Sequence, residues 1–120
     1  MIIDDIIEKT KERVEENKKR NSIDKLAKLA FAKPIYNDFP FEKALRKPGL
    51  SYIMEVKRAS PSKGVITQNF DYKTIAKEYE DIGAAAISVV TEPDFFKGDD
   101  DFLAEIKKIV KIPVLRKDFV

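Results

Sequence analysis

Apolar residues recur along this chain in two different rhythms, and the change falls near Leu50. Over residues 2–16, Ile3, Ile6, Ile7, Thr10 and Val14 share one face, while Glu8, Lys9, Lys11, Glu12, Glu15 and Glu16 fill the rest. That is the 3.6-residue period of an amphipathic helix, with Asp4 or Asp5 suited to its N-cap. Asn17 to Asn21 is a polar break, and a shorter helix is expected beyond it with Ile23, Leu26, Leu29 and Ala30 on one face. Pro34, Pro40 and Pro48 punctuate the next stretch. They leave room for one short helix around Phe41, Ala44 and Leu45, stopped by Lys47-Pro48-Gly49.

From Leu50 the pattern becomes that of alternating strands and helices. Tyr52 to Val56 is a compact apolar strand, followed by loop chemistry at Ser60-Pro61-Ser62-Lys63-Gly64. A helix is predicted from Asp71 to about Ile82, with Ile75, Ala76 and Tyr79 as its stripe and Gly83 as its C′ residue. Ala84 to Thr91 is too continuously apolar for a half-exposed strand and reads as a parallel strand buried on both faces. After a loop at 92–98, a helix over 99–110 turns Phe102, Leu103, Ile106 and Ile109 inward. Pro113 then opens a strand over 114–120. The strand starts lie about thirty residues apart, the length of a βαβ unit, and such crossovers build a parallel sheet. The expected organisation is a helical extension at 1–49 and a β-α-β-α-β region at 50–120. Two architectures fit: a flavodoxin-like or Rossmann sheet, and part of a (β/α)8 barrel. No GxGxxG follows the first strand, which weakens the dinucleotide reading.

Composition narrows the chemistry. Of 120 residues, 37% are charged, but Lys+Arg at 23 and Asp+Glu at 21 nearly cancel to +2. That balance argues against a nucleic-acid binder. Cysteine and histidine are both absent, which excludes disulfides, thiol chemistry and Cys-zinc sites and removes the commonest general base. Acid–base work must therefore fall to Lys, Asp, Glu or Tyr. No apolar run approaches the roughly 18–20 residues that span a bilayer. The first residues lack a cationic signal-peptide region, and a cytoplasmic location is expected.

In barrels and open α/β sheets the site lies at the carboxyl ends of the strands. Those ends carry Glu55, Lys57 and Ser60, then Ser88, Thr91 and Glu92, then Lys117 and Asp118. Glu55 and Lys57 are two apart, so they share a face. They are either an inward pair, costly in desolvation and hence a candidate site, or solvated residues beyond the strand's end. Lys117 shares its face with Leu115 and Phe119, and a lysine among buried apolar neighbours acquires a lowered pKa and serves as acid, base or nucleophile. The plainer alternative is that Arg116 and Lys117 mark the strand's exit. Asp118 points the other way, as a helix-side or loop-capping carboxylate. The Ser60–Gly64 loop suits phosphate, and Phe95-Phe96 either lines an apolar pocket or latches onto the next helix.

Three ordered segments resemble one family. Glu55-Val56-Lys57-Arg58-Ala59-Ser60-Pro61-Ser62-Lys63-Gly64 is similar to the signature of indole-3-glycerol phosphate synthase, a tryptophan-pathway (β/α)8 barrel. Ile87 to Gly98 resembles that family's second strand and loop, and Ile112 to Val120 its third strand. The resemblance implies a cofactor-free lyase. It closes the pyrrole ring of 1-(2-carboxyphenylamino)-1-deoxyribulose 5-phosphate with loss of carbon dioxide and water. It also implies Lys117 as general acid, Lys57 as the lysine meeting the substrate's carboxylate and phosphate side, and Glu55 as their hydrogen-bonded glutamate. Ser60 matches a site serine, and Pro61, Phe96 and Phe119 match apolar residues packing on the anthranilate ring.

The family's barrel runs to about 250 residues, so the fold expected here is a helical extension plus the first three strands of a TIM barrel. The phosphate loops after strands seven and eight fall outside these residues, and the 120-residue chain alone is expected to be inactive. Exposed strand edges invite pairing, giving a homodimer or domain-swapped assembly. A non-catalytic, self-associating fragment and another phosphate-binding barrel such as phosphoribosylanthranilate isomerase are the competing readings. The partner expected is a small phosphorylated molecule, not a nucleic acid or a membrane.

Overall fold

A computed structural model describes all of residues 1–120. Two compact units divide them, residues 1–38 with 119–120, and residues 39–118.

In the first unit, α1 runs from Ile2 to Arg20. Its N-cap is Met1, not Asp4 or Asp5. Both aspartates lie inside the first turn, where negative charge complements the helix dipole, and Asp4 pairs with the terminal ammonium at 3.0 Å. The helix continues past residue 16 because its polar end still suits it. Lys18 and Lys19 pair with Glu15 and Glu16, each at 2.7 Å, and cations sit well in a last turn. Ile6 and Thr10 are buried, and the Thr10 hydroxyl has no hydrogen-bond partner. The second helix, α2 (Ile23–Phe31), is capped by Ser22, whose side chain accepts from the Lys25 N–H at 3.2 Å. None of its residues is buried.

The second unit opens with α3 (Pro40–Leu45), a short helix with proline in its first turn. Its sheet contains β1 (Ile53–Val56), β4 (Ala86–Val90) and β5 (Val114–Lys117). A separate hairpin pairs β2 (Ala59–Ser60) with β3 (Gly64–Val65). The crossover helices are α4 (Tyr72–Asp81) and α5 (Asp100–Ile109). All pairings in the three-stranded sheet are parallel, in the order β1-β4-β5. The sheet thus advances one strand per crossover without reversal, as a (β/α)8 barrel begins. Every residue of the central strand is buried, as its continuous apolar run predicts. Helix boundaries follow their caps: Asp71 accepts from the Thr74 N–H at 3.1 Å and Asp99 from the Asp101 N–H at 2.8 Å. Gly83, at φ +93°, ends α4 in the left-handed conformation expected of it.

Val56, Ile87 and Val89 from the sheet pack with Ala76 of α4, Ile106 of α5 and Val110. Both helices therefore cover the same sheet face. Glu80 fastens α4 to the start of β5 by accepting the N–H groups of Lys111 and Ile112 and pairing with Lys77. Those contacts, the Lys77 ammonium foremost, hold its carboxyl below the usual glutamate range. Glu105 is held low likewise by Lys73 and the Tyr72 hydroxyl. The third strand ends at Lys117 and does not continue to Val120. No helix is long and apolar enough to cross a membrane.

Candidate functional site at the carboxyl ends of the strands

Strand register sorts the candidate residues by face. Glu55 lies beside Ser88, and Ser88 beside Leu115. Alternation puts Lys57, Val90 and Lys117 on that same face one step further on, with Val90 directly beside Lys117. The helix-covered face takes Val56, Val89 and Arg116 in their turn. Lys57 and Lys117 accordingly project from one face, two strands or roughly 10 Å apart along the sheet.

Glu55 and Lys57 form an ion pair, Nζ to Oε1 at 3.8 Å, with the other carboxylate oxygen accepting from the Ser88 hydroxyl at 3.1 Å. Ser88 is buried, while the Glu55 and Lys57 side chains are 35% and 34% exposed. The pair is thus neither fully inward nor beyond the reach of the sheet. Water covers one side of it, which lowers the desolvation cost, and a buried hydroxyl fixes the other. Lys117 departs from expectation. It is exposed, and Leu115 on its face is 40% exposed. Buried Val90 lies beside Lys117 on the same face, but the lysine is not enclosed as the alternation predicts.

Ser60 and Pro61 sit on the hairpin that follows β1. Ser60 is buried, with its Oγ 3.5 Å from that of Ser62, and Pro61 is exposed. The hairpin exists because the Lys63 N–H returns to the Ser60 carbonyl and Gly64 takes φ +64° at the turn. The Ala59 N–H donates to the Phe96 carbonyl at 3.2 Å, so this hairpin and the β4–α5 loop meet, bringing Ser60 and Phe96 onto adjoining turns. Phe96 is half-buried. Phe119 groups with the first unit, where its carbonyl accepts from Arg13 at 3.4 Å.

Two features of the loop escaped the sequence reading. Glu92 is 1% exposed and its carboxylate accepts the N–H groups of Asp94, Phe95 and Phe96 at 2.7–3.0 Å. Pro93 has no N–H, so the carboxylate meets the next three donors; a Glu-Pro opening to a turn is the signal that was available. Gly98 closes the loop by donating to the Glu92 carbonyl at 2.8 Å. A Cβ there would stand 2.5 Å from the Val90 carbonyl oxygen and 2.6 Å from the Thr91 carbonyl carbon, so only glycine fits without a backbone shift.

On the helix-covered side, Thr91 and Asp118 lie where β4 and β5 end. The Thr91 hydroxyl donates to Asp118 Oδ2 at 2.8 Å and accepts from Arg116 Nε at 3.2 Å. Arg116 also reaches Asp118 at 3.4 Å and Asp100, in the first turn of α5, at 3.0 Å. Asp118 is the structural carboxylate that its position in the alternation predicts.

A family model described as indole-3-glycerol phosphate synthase matches residues 3–120. Curated relatives with that description include one from Endomicrobium trichonymphae, 55% identical over 120 residues, covering 100% of this chain and 46% of the relative. A second, from Ruminiclostridium cellulolyticum, is 52% identical over 119 residues, covering 99% and 46%. A third, from Lachnoclostridium phytofermentans, is 48% identical over 131 residues, covering 100% and 48%. The chain spans about half the length of these relatives.

Proposed function

We propose, since this chain belongs to the indole-3-glycerol phosphate synthase family, that it contributes the lysine and glutamate part of a ring-closing active site. Residues 1–49 form the helical extension and residues 50–120 the first three strands of the barrel. The observation that carries the reading is the common face of Glu55, Lys57 and Lys117 at the carboxyl ends of parallel strands. The substrate is 1-(2-carboxyphenylamino)-1-deoxyribulose 5-phosphate. Its ring carbon bearing the carboxylate bonds to the ketone carbon while the Lys117 ammonium gives a proton to the ketone oxygen, which becomes a hydroxyl. A cation placed at a developing alkoxide stabilises the transition state without reorganisation. The bond to the carboxylate then breaks, its electron pair restores the aromatic ring, and carbon dioxide leaves. Departure of the hydroxyl as water, with a proton from the neighbouring carbon, completes the pyrrole.

Lys57 meets the anionic side of the substrate, and Glu55 holds Lys57 in place. Ser60 contributes a hydroxyl, and Pro61 and Phe96 pack on the aromatic ring. No cofactor enters these steps, and a phosphorylated metabolite of this kind belongs in the cytoplasm. The test joins to Val120 the part of the Endomicrobium trichonymphae relative that lies beyond its matched region. Incubated with the substrate, this fusion is expected to develop indole fluorescence, while the 120-residue chain alone turns over at least about a hundred-fold more slowly. A folded fusion that yields no indole product overturns the reading.

A second reading concerns the chain by itself. β1 and β5 are sheet edges, and Ile53 and Leu115 on them are 45% and 40% exposed. Unpaired edges of this kind associate, and a homodimer is expected by light scattering; a monodisperse monomer at micromolar concentration overturns it.

A further inference from the structure

Lys117 is exposed, yet the residues on either side of it are tied down. Arg116 and Asp118 both lie on the helix-covered side and both meet the Thr91 hydroxyl. Arg116 carries the tie on to Asp100 at the start of α5. Thr91 and the Asp118 side chain are buried, at 3% and 4% exposure, so water competes weakly for their hydrogen bond. The Lys117 backbone is held as well, because its carbonyl accepts from the Thr91 N–H at 3.0 Å. Thr91 thus grips the three-residue segment through both its backbone and its side chain. Strand alternation turns the middle residue of a segment pinned on one face toward the other face.

We propose that Thr91, with Asp118 and Arg116, is a positioning residue that aims Lys117 from the open face of the sheet. The inference rests on the reading of Lys117 as the proton donor. It assigns the triad no contact with substrate. Cutting the tie therefore moves the proton donor while leaving substrate contacts in place, and small displacements of a reacting group are costly to rate, up to about a hundred-fold for 1 Å. The signature is a fall in kcat at constant KM.

Thr91→Val keeps the shape of threonine and removes the hydroxyl; Thr91→Ser restores the hydroxyl. In the fusion described above, T91V is expected to lower kcat about ten-fold or more with KM within about two-fold, and T91S to recover most of that loss. A folded T91V with unaltered kcat overturns the proposal, as does a T91S no better than T91V. Should the unsubstituted fusion lack turnover, the proposed reaction fails but the grip on Lys117 is still measured. In the 120-residue chain, hydrogen exchange at the Thr91 amide is expected to rise about ten-fold in T91V and not in T91S, with the Val89 amide unchanged. Equal Thr91 exchange in all three proteins, or a rise shared by Val89, overturns the grip itself. T91V should also be matched by Asp118→Asn; a kcat effect confined to one of the two contradicts a shared mechanism.

Discussion

The two faces of the sheet differ most at its edge strands, β1 and β5. On the helix-covered face Val56, Ile87 and Val89 are at most 2% exposed and pack on Ala76 and Ile106. Beyond them, at the strand ends, that face is locked by the Thr91, Arg116 and Asp118 network. On the other face Glu55 and Lys57 are a third exposed, and Leu115 more so. The contrast belongs to the edge strands, where packing lies on one side and Glu55, Lys57 and Lys117 on the other; the central strand is buried on both, with Ala86, Ser88 and Val90 at most 5% exposed on the second face. Because alternation assigns successive residues to opposite sides, one strand such as β5 serves both, with Val114 packed on the helix-covered side and Lys117 on the other.

The sharpest way to break this contrast is to damage the packed face. Ile106→Ala removes a fully buried side chain and is expected to destabilise the chain by about 3 kcal/mol in denaturant unfolding, within the range for such truncations. A loss under about 1 kcal/mol would mean that the helix side is not where the stability lies. Next in size is Gly98→Ala. Its added methyl group meets backbone of Val90 and Thr91, which cannot move as a side-chain end can, and a cost of about 1–3 kcal/mol is expected. Smaller still is the acid dependence. Lys77 and the Lys111 and Ile112 N–H groups stabilise ionised Glu80 in the folded chain. Its folded pKa lies below its unfolded one, so its contribution is full above the ordinary value of about 4.3 and fades as pH falls through and below that value. Glu80→Gln should flatten the stability profile below pH 5; an unchanged acid limb would contradict the assignment. Glu105 titrates in the same sense.

Much of this contrast was legible in the sequence, for local reasons. Ala86–Val90 announces a doubly buried strand by its continuous apolar run, and Asp71 with Gly83 brackets α4 through capping chemistry that needs no tertiary partner. Glu55 and Lys57 could be placed on one face from period-two spacing; that Lys117 shares it needed the strand register. What failed needed distances across the chain. The β2–β3 hairpin is two residues per strand, too short to show a period. Burial around Lys117 was inferred from Leu115 and Phe119 as neighbours in sequence, but Leu115 is open and Phe119 groups with the first unit. Thr91 gained its place only from the register that sets β4 beside β5. Glu92 could be named as a strand-end acid, but not the convergence of three N–H groups on it.

The division of labour between the faces is tested most directly at Lys117. Lys117→Met keeps an unbranched apolar stem and removes the proton. The unfolding free energy of the 120-residue chain is expected to change by no more than about 0.5 kcal/mol, as for an exposed site. In the fusion, the same substitution should lower kcat about a thousand-fold, within the span attributed to a positioned acid. Unfolding destabilised by several kcal/mol, or ring closure at the unsubstituted rate, would contradict the account.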